Sequence, residues 1–164
     1  MWRIELVSST PTHLQAVREL VEEYIRLPDA WVLSGGPPRQ LPPQFAEELA
    51  RLPQPAAPPG GDIAVAVDNR RGAFAVGLLV PHDDAEAEMK RIYVRPTHRR
   101  RGVGAALTSV LVSVARELTY RSVVLDVMAS RHGAINLYER AGFVPIASYR
   151  ERRNVEMRAY RLEI

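Results

Sequence analysis

A chain of 164 residues is long enough for one domain with a sizeable core, and hydrophobic residues at 46% exclude a disordered segment. The absence of cysteine excludes disulfides. The net charge of +3 gathers in one arginine cluster and an arginine-rich tail, too local for the basic face of a nucleic-acid binder and better suited to a small polyanion.

Trp2, Ile4 and Leu6 alternate with Arg3 and Glu5, which predicts a strand with one buried face. Thr10-Pro11 is a helix-start signal, and Leu14, Val17, Val21, Tyr24 and Ile25 form the apolar stripe of the helix that Pro28 ends. Residues 28–43 are rich in proline and glycine and read as a long loop. Within it Trp31 and Leu33 either line a pocket or anchor the loop, and anchoring is the expected role. Phe45, Leu49 and Leu52 have helical spacing, residues 53–61 read as irregular, and 63–67 and 73–80 read as a hairpin turning at Asn69-Arg70-Arg71-Gly72.

Residues 89–94 are rich in β-branched and aromatic types and predict a central strand that Pro96 ends. Three arginines follow, Arg99, Arg100 and Arg101, then Gly102-Val103-Gly104 and a helix with Leu107, Leu111, Val114 and Leu118 on one face. This junction predicts an anion site. The first turn of a helix leaves N–H groups unpartnered at the positive end of its dipole. Glycines admit close backbone approach, and guanidiniums hold phosphate oxygens with two-pronged geometry. A Walker loop is excluded because no Gly-Lys-Ser/Thr follows, and a dinucleotide fingerprint is excluded by Leu107.

Residues 122–128 are nearly all apolar, as in a strand buried on both faces; Asp126 is the exception, placed either to bind an acceptor amine or to satisfy backbone donors. A helix over 132–141 ends at Gly142, and 143–149 and 155–162 read as closing strands around a polar turn, 150–154. The result is a single α/β domain over 1–164, with a mixed, largely antiparallel sheet of seven strands and helices on both faces. The four histidines lack metal-ligand spacing, so no metal is expected. No apolar run reaches the ~18 residues of a membrane span, and the opening residues lack a signal-peptide core. A cytoplasmic protein without membrane or nucleic-acid partners is the expectation, with a homodimer left open.

The run Arg99 to Ala105 resembles the R/Q-x-x-G-x-G/A motif of the GNAT superfamily of N-acetyltransferases, and Leu137-Tyr138-Glu139-Arg140-Ala141-Gly142-Phe143 resembles that family's L-Y-x-x-x-G-F signature, in the expected order. The resemblance is clear over 89–143. It implies acetyl-coenzyme A as cofactor, with its pyrophosphate on Arg99, Arg100, Arg101, Gly102, Val103, Gly104 and Ala105. It also implies a splay between the fourth and fifth strands, where the pantetheine arm pairs with the main chain of Ile92, Tyr93 and Val94. Asn136 would bond that arm. The family commonly has asparagine at the position of Arg131, which leaves cofactor contact there open.

Acetyl transfer to an amine needs a neutral nucleophile, because an amine with pKa near ~10 is almost wholly protonated at neutral pH. Glu88 is the candidate base: it lies on the central strand six residues before Val94, where histone-acetylating members of the family have glutamate. Its parity groups it with Glu86, the fallback base, and with Lys90, Ile92 and Val94. Tyr138 is the candidate acid, since the family's tyrosine at this position faces the cofactor sulfur and a phenol stays protonated at pH 7. Without cysteine, transfer is direct in a ternary complex, and the expected acceptor is a primary amine of a small molecule. A protein N-terminal acetyltransferase and a non-catalytic acetyl-CoA sensor are the alternatives.

Overall fold

The computed structural model describes residues 1–70, 72–150 and 155–164. Seven strands form one sheet in the order β1-β2-β3-β4-β5-β7-β6, with β1 Trp2–Leu6, β2 Asp62–Asp68, β3 Gly72–Pro81, β4 Glu86–Val94, β5 Ser122–Met128, β6 Val144–Ile146 and β7 Met157–Glu163. Every neighbouring pair is antiparallel except β4 and β5. That pair is joined by helix α3, Val103–Glu117, because parallel neighbours need a crossover connection.

Helices cover both faces of the sheet. α1 (Leu14–Ile25) and α2 (Pro43–Arg51) lie on one side, where Val17, Leu20, Val21 and Ile25 pack on Ile63, Val65, Val76 and Leu78. α3 and α4 (His132–Arg140) lie on the other, where Leu107, Leu111, Ile135 and Tyr138 pack on Ala64, Leu79, Ala87 and Leu125. The α3 stripe predicted from spacing is the buried one. Leu111 is wholly enclosed, so Leu111→Ala should destabilise the domain by about 2–5 kcal/mol, read as a lower denaturant midpoint at unchanged slope.

Two features of β4 place the site. First, its pairing with β5 runs only over Glu86↔Ser122, Ala87↔Val123 and Glu88↔Val124. Among the described residues the β5-facing edge of β4 has no strand partner from Met89 onward, which is the expected splay. Second, β4 bulges: Val76 and Leu78 of β3 pair with Tyr93 and Lys90, so three steps of β4 match two of β3. Arg91 takes the extra position in the left-handed region, φ 56°, a conformation that side chains other than glycine resist. Arg91 is held there by two bonds to Glu48 of α2, at 2.8 and 2.6 Å, and by its guanidinium lying over the rings of Tyr24 and Phe45.

The bulge resets the alternation of side chains. Ile92 and Val94 join the α3 side, while Tyr93 packs on the α1 side. Glu88 therefore does not share a face with Ile92 and Val94, as unbroken alternation had suggested. A one-residue insertion turns every later side chain to the opposite face.

Beyond that, the expected strand over 143–149 shortens to Val144–Ile146. The chain then leaves the sheet, and this brings Tyr149 and Arg150 back to β4. The hairpin turn at Asn69-Arg70-Arg71-Gly72 and the polar turn at 150–154 lie partly outside the described residues.

Candidate active site

The anion site expected from the sequence corresponds to the start of α3. Gly102 is the N-cap residue with φ 76°, and no side chain caps the helix. The left-handed cap starts the helix next to Arg99, Arg100 and Arg101, all exposed, and leaves its first amides without a side-chain acceptor. Val103 is buried under the helix, while Ala105 is exposed on the first turn. Gly104 has a second reason to be small: a Cβ there would stand 2.8 Å from Cδ1 of Leu137, so α4 packs directly on the start of α3. Arg99 Nε donates to the carbonyl of Val94 at 2.9 Å, which ties the arginine loop to the end of β4.

The residues therefore fit a diphosphate with an extended arm: an uncapped helix start, a cluster of guanidiniums, and an unpaired strand edge leading from them to the splay. Asn136 is exposed on α4.

Tyr138 lies on α4 and is buried in the core on the α3 side of the sheet. Gly142 ends this helix with φ 93°, and the Phe143 amide returns to the Tyr138 carbonyl at 3.0 Å. That return places the Phe143 ring against the Tyr138 ring, centroids 5.9 Å apart, and so accounts physically for the spacing of tyrosine, glycine and phenylalanine. Burial pushes the Tyr138 phenol far above its ordinary pKa; Tyr24 and Asp126 raise it further, and Arg131 opposes them. The phenol therefore stays protonated at neutral pH.

Glu88 is the last β4 residue paired with β5 and is 4% exposed. Its Oε1 accepts a bond from the Tyr149 hydroxyl at 3.1 Å and another from the Arg150 guanidinium. Arg150 Nε also lies 3.6 Å from Asp126 Oδ2. Burial, then the nearby Glu88 charge, pushes the Tyr149 phenol well up. Glu86 is committed elsewhere: Ser122 Oγ donates to it at 2.6 Å and Arg161 Nε at 2.7 Å.

A cavity of ≈ 450 Å³ opens beside the splay, lined by Tyr24, Phe45, Glu48, Lys90, Asp126 and Arg150 together with Gln44, Met89 and Arg91. Burial raises the Glu48 carboxyl, but its bonds to Arg91 outweigh this and hold it below the usual range. Arg131 donates two bonds to Asp29, at 2.7 and 2.9 Å, and lies over the Tyr24 ring. It thereby fastens the loop after α1 to the start of α4. Trp31 anchors that loop through its indole N–H on the Ile25 carbonyl, 2.7 Å, and an edge contact with Phe45. Leu33, by contrast, is 73% exposed and anchors nothing.

Sequence reasoning singled out Glu88, Asp126 and Tyr138 but not Glu48, Lys90, Arg91 or Tyr149. Glu48 and Arg91 lie 43 positions apart, so no local pattern joins them. The one available signal was the pair Lys90-Arg91, two charged residues inside a predicted strand.

A family model described as the acetyltransferase (GNAT) family matches residues 19–143. The chain belongs to that family.

Among GNAT relatives, an uncharacterized N-acetyltransferase of Schizosaccharomyces pombe is 33% identical over 104 residues, covering 63% of this chain and 64% of the relative. The [ribosomal protein bS18]-alanine N-acetyltransferase of Salmonella typhimurium is 39% identical over 85 residues, covering 50% of this chain and 53% of that protein. The chain thus matches between about half and two thirds of these relatives' lengths. YncA of Salmonella typhimurium, solved with its cofactor acetyl-CoA, shares the GNAT architecture at TM-score 0.67 and 17% identity, with 99% of this chain and 93% of that one covered.

Proposed function

We propose that this GNAT chain transfers an acetyl group from acetyl-CoA to the primary amine of a small molecule, directly and in a ternary complex. The observation that carries the reading is the meeting of two half-sites at the splay. The arginine-flanked start of α3 lies on one side of β4, and a cavity walled by carboxylates and cations lies on the other. The acetyl-CoA bound to the YncA structure supports the cofactor.

Arg99, Arg100, Arg101 and the amides of Gly102 to Ala105 hold the diphosphate, and the free edge of β4 at Ile92, Tyr93 and Val94 aligns the arm. Asn136, exposed on the first turns of α4, adds a bond to it. Acetyl-CoA supplies an acyl group activated as a thioester. Glu88 takes a proton from the acceptor ammonium, replacing Arg150 as the neighbour of that charge. On the thioester the freed amine would form the C–N bond as the C–S bond breaks; Tyr138 would donate a hydrogen bond to the departing sulfur, and the second amine proton would pass to the thiolate or to solvent, leaving a neutral amide. Because its pKa stands above the ~8.5 of a thiol, Tyr138 serves the developing charge better as a hydrogen-bond donor than by surrendering its proton.

A second reading, acetylation of a protein N-terminus, is favoured by the bS18-alanine relative. Thiol release measured with a panel of small amines and N-terminal peptides separates the two. Cofactor binding without release from any acceptor would instead support a sensor. Replacing Arg99 and Arg101 with alanine should weaken acetyl-CoA binding by about tenfold or more for each lost charge-assisted bond. Calorimetry showing unchanged affinity would reject the diphosphate assignment.

A further inference from the structure

We infer that the acceptor carries a carboxylate beside its amine, and that Lys90 binds that carboxylate: the cavity is built for an α-amino acid. This rests on the acetyl-transfer reading and narrows its substrate class.

The inference starts from the pairing of charges around the cavity. Arg91 has Glu48, through two bonds, and is stacked on Tyr24 and Phe45. Arg150 has Glu88 and lies 3.6 Å from Asp126. Lys90 lines the same cavity, yet no described residue accepts a hydrogen bond from its ammonium or forms an ion pair with it.

The ammonium is also partly taken from water. Burial holds its pKa below the ordinary lysine value; Glu88 and Glu48 counter this from a distance, while Arg91 and Arg150 add to it. A desolvated cation without a hydrogen-bonded counter-charge is costly, and the cost is offset when an anion arrives. Lys90 sits at the first position of the bulge, immediately before Arg91. The Arg91–Glu48 clamp therefore fixes the backbone from which Lys90 projects.

The ligand's charge follows. A bare amine enters as a cation and meets Lys90 across a confined space, where like charges repel strongly. A zwitterion brings no net charge. Its carboxylate answers Lys90 while its ammonium takes the Glu88 and Asp126 side now held by Arg150. A peptide N-terminus offers an amide where the carboxylate should be, so the same arrangement disfavours it. The ≈ 450 Å³ volume accommodates an amino acid together with the acyl end of the donor.

The test uses matched acceptors: α-amino acids, the amines left by their decarboxylation, and their primary amides, each assayed by thiol release. The amino acids should exceed both partners in kcat/KM by about tenfold or more, mainly through KM. Lys90→Met should erase that preference, bringing the amino acids down to the level of their carboxylate-free partners, and Lys90→Arg should restore part of it. Equal or better use of carboxylate-free amines, or a preference that survives in Lys90→Met, overturns the inference while acetyl transfer stands.

If no acceptor releases thiol, the acetyl-transfer reading falls. Lys90 is then judged by calorimetry with N-acetyl amino acids on the CoA-bound protein. Binding that Lys90→Met weakens supports the carboxylate site, and binding that it leaves unchanged, or no binding, overturns it.

Discussion

Glu88→Gln should lower kcat/KM by about a hundredfold near neutral pH, because the ammonium form of the acceptor then loses its proton only to solvent. The wild-type rate should rise with pH and level off where Glu88 removes the proton efficiently. In the variant the rise should move toward the amine's own pKa near ~10, so that the two rates converge at high pH. Gln keeps the shape of Glu and still accepts a bond from the Tyr149 hydroxyl, but it loses the ion pair with Arg150. Arg150→Met separates the two roles. If the pair is only structural, both variants should lose stability and rate together. If Glu88 is the base, Arg150→Met leaves a carboxylate in place and retains most of the turnover. One shared pH profile for wild type and Glu88→Gln would take Glu88 out of the mechanism.

Tyr138→Phe should lower kcat by about tenfold to a thousandfold while acetyl-CoA affinity stays nearly constant, the pattern of an interaction made mainly in the transition state. The ring contact with Phe143 survives the change, so loss of fold does not explain the fall. The phenol is pushed up by burial and remains protonated across the assay range, so Tyr138 itself should add no limb to the pH profile. Equal turnover in the variant would show that the departing sulfur draws its hydrogen bond from elsewhere.

The sequence by itself determined most of the elements and the glycine–arginine start of α3. The period of Leu107, Leu111 and Val114 fixed the buried face of α3, the alternation of Trp2, Ile4 and Leu6 fixed β1, and the apolar run at 122–128 fixed β5. Glycine and arginine at the start of α3 were legible because a helix terminus beside a positive-φ glycine has one local chemistry, held within six residues. The tertiary structure alone decided the proposed acceptor side. Whether Glu88 faces the same way as Ile92 depends on a bulge that the Arg91–Glu48 pair holds, and Glu48 stands on another helix. That Arg150 shields Glu88, and that Lys90 has no such counter-ion, depends on where the chain goes after β6 leaves the sheet. Periodicity carries the local interactions between near neighbours. Charge pairing across the fold is set by packing, and no window of the sequence contains both partners.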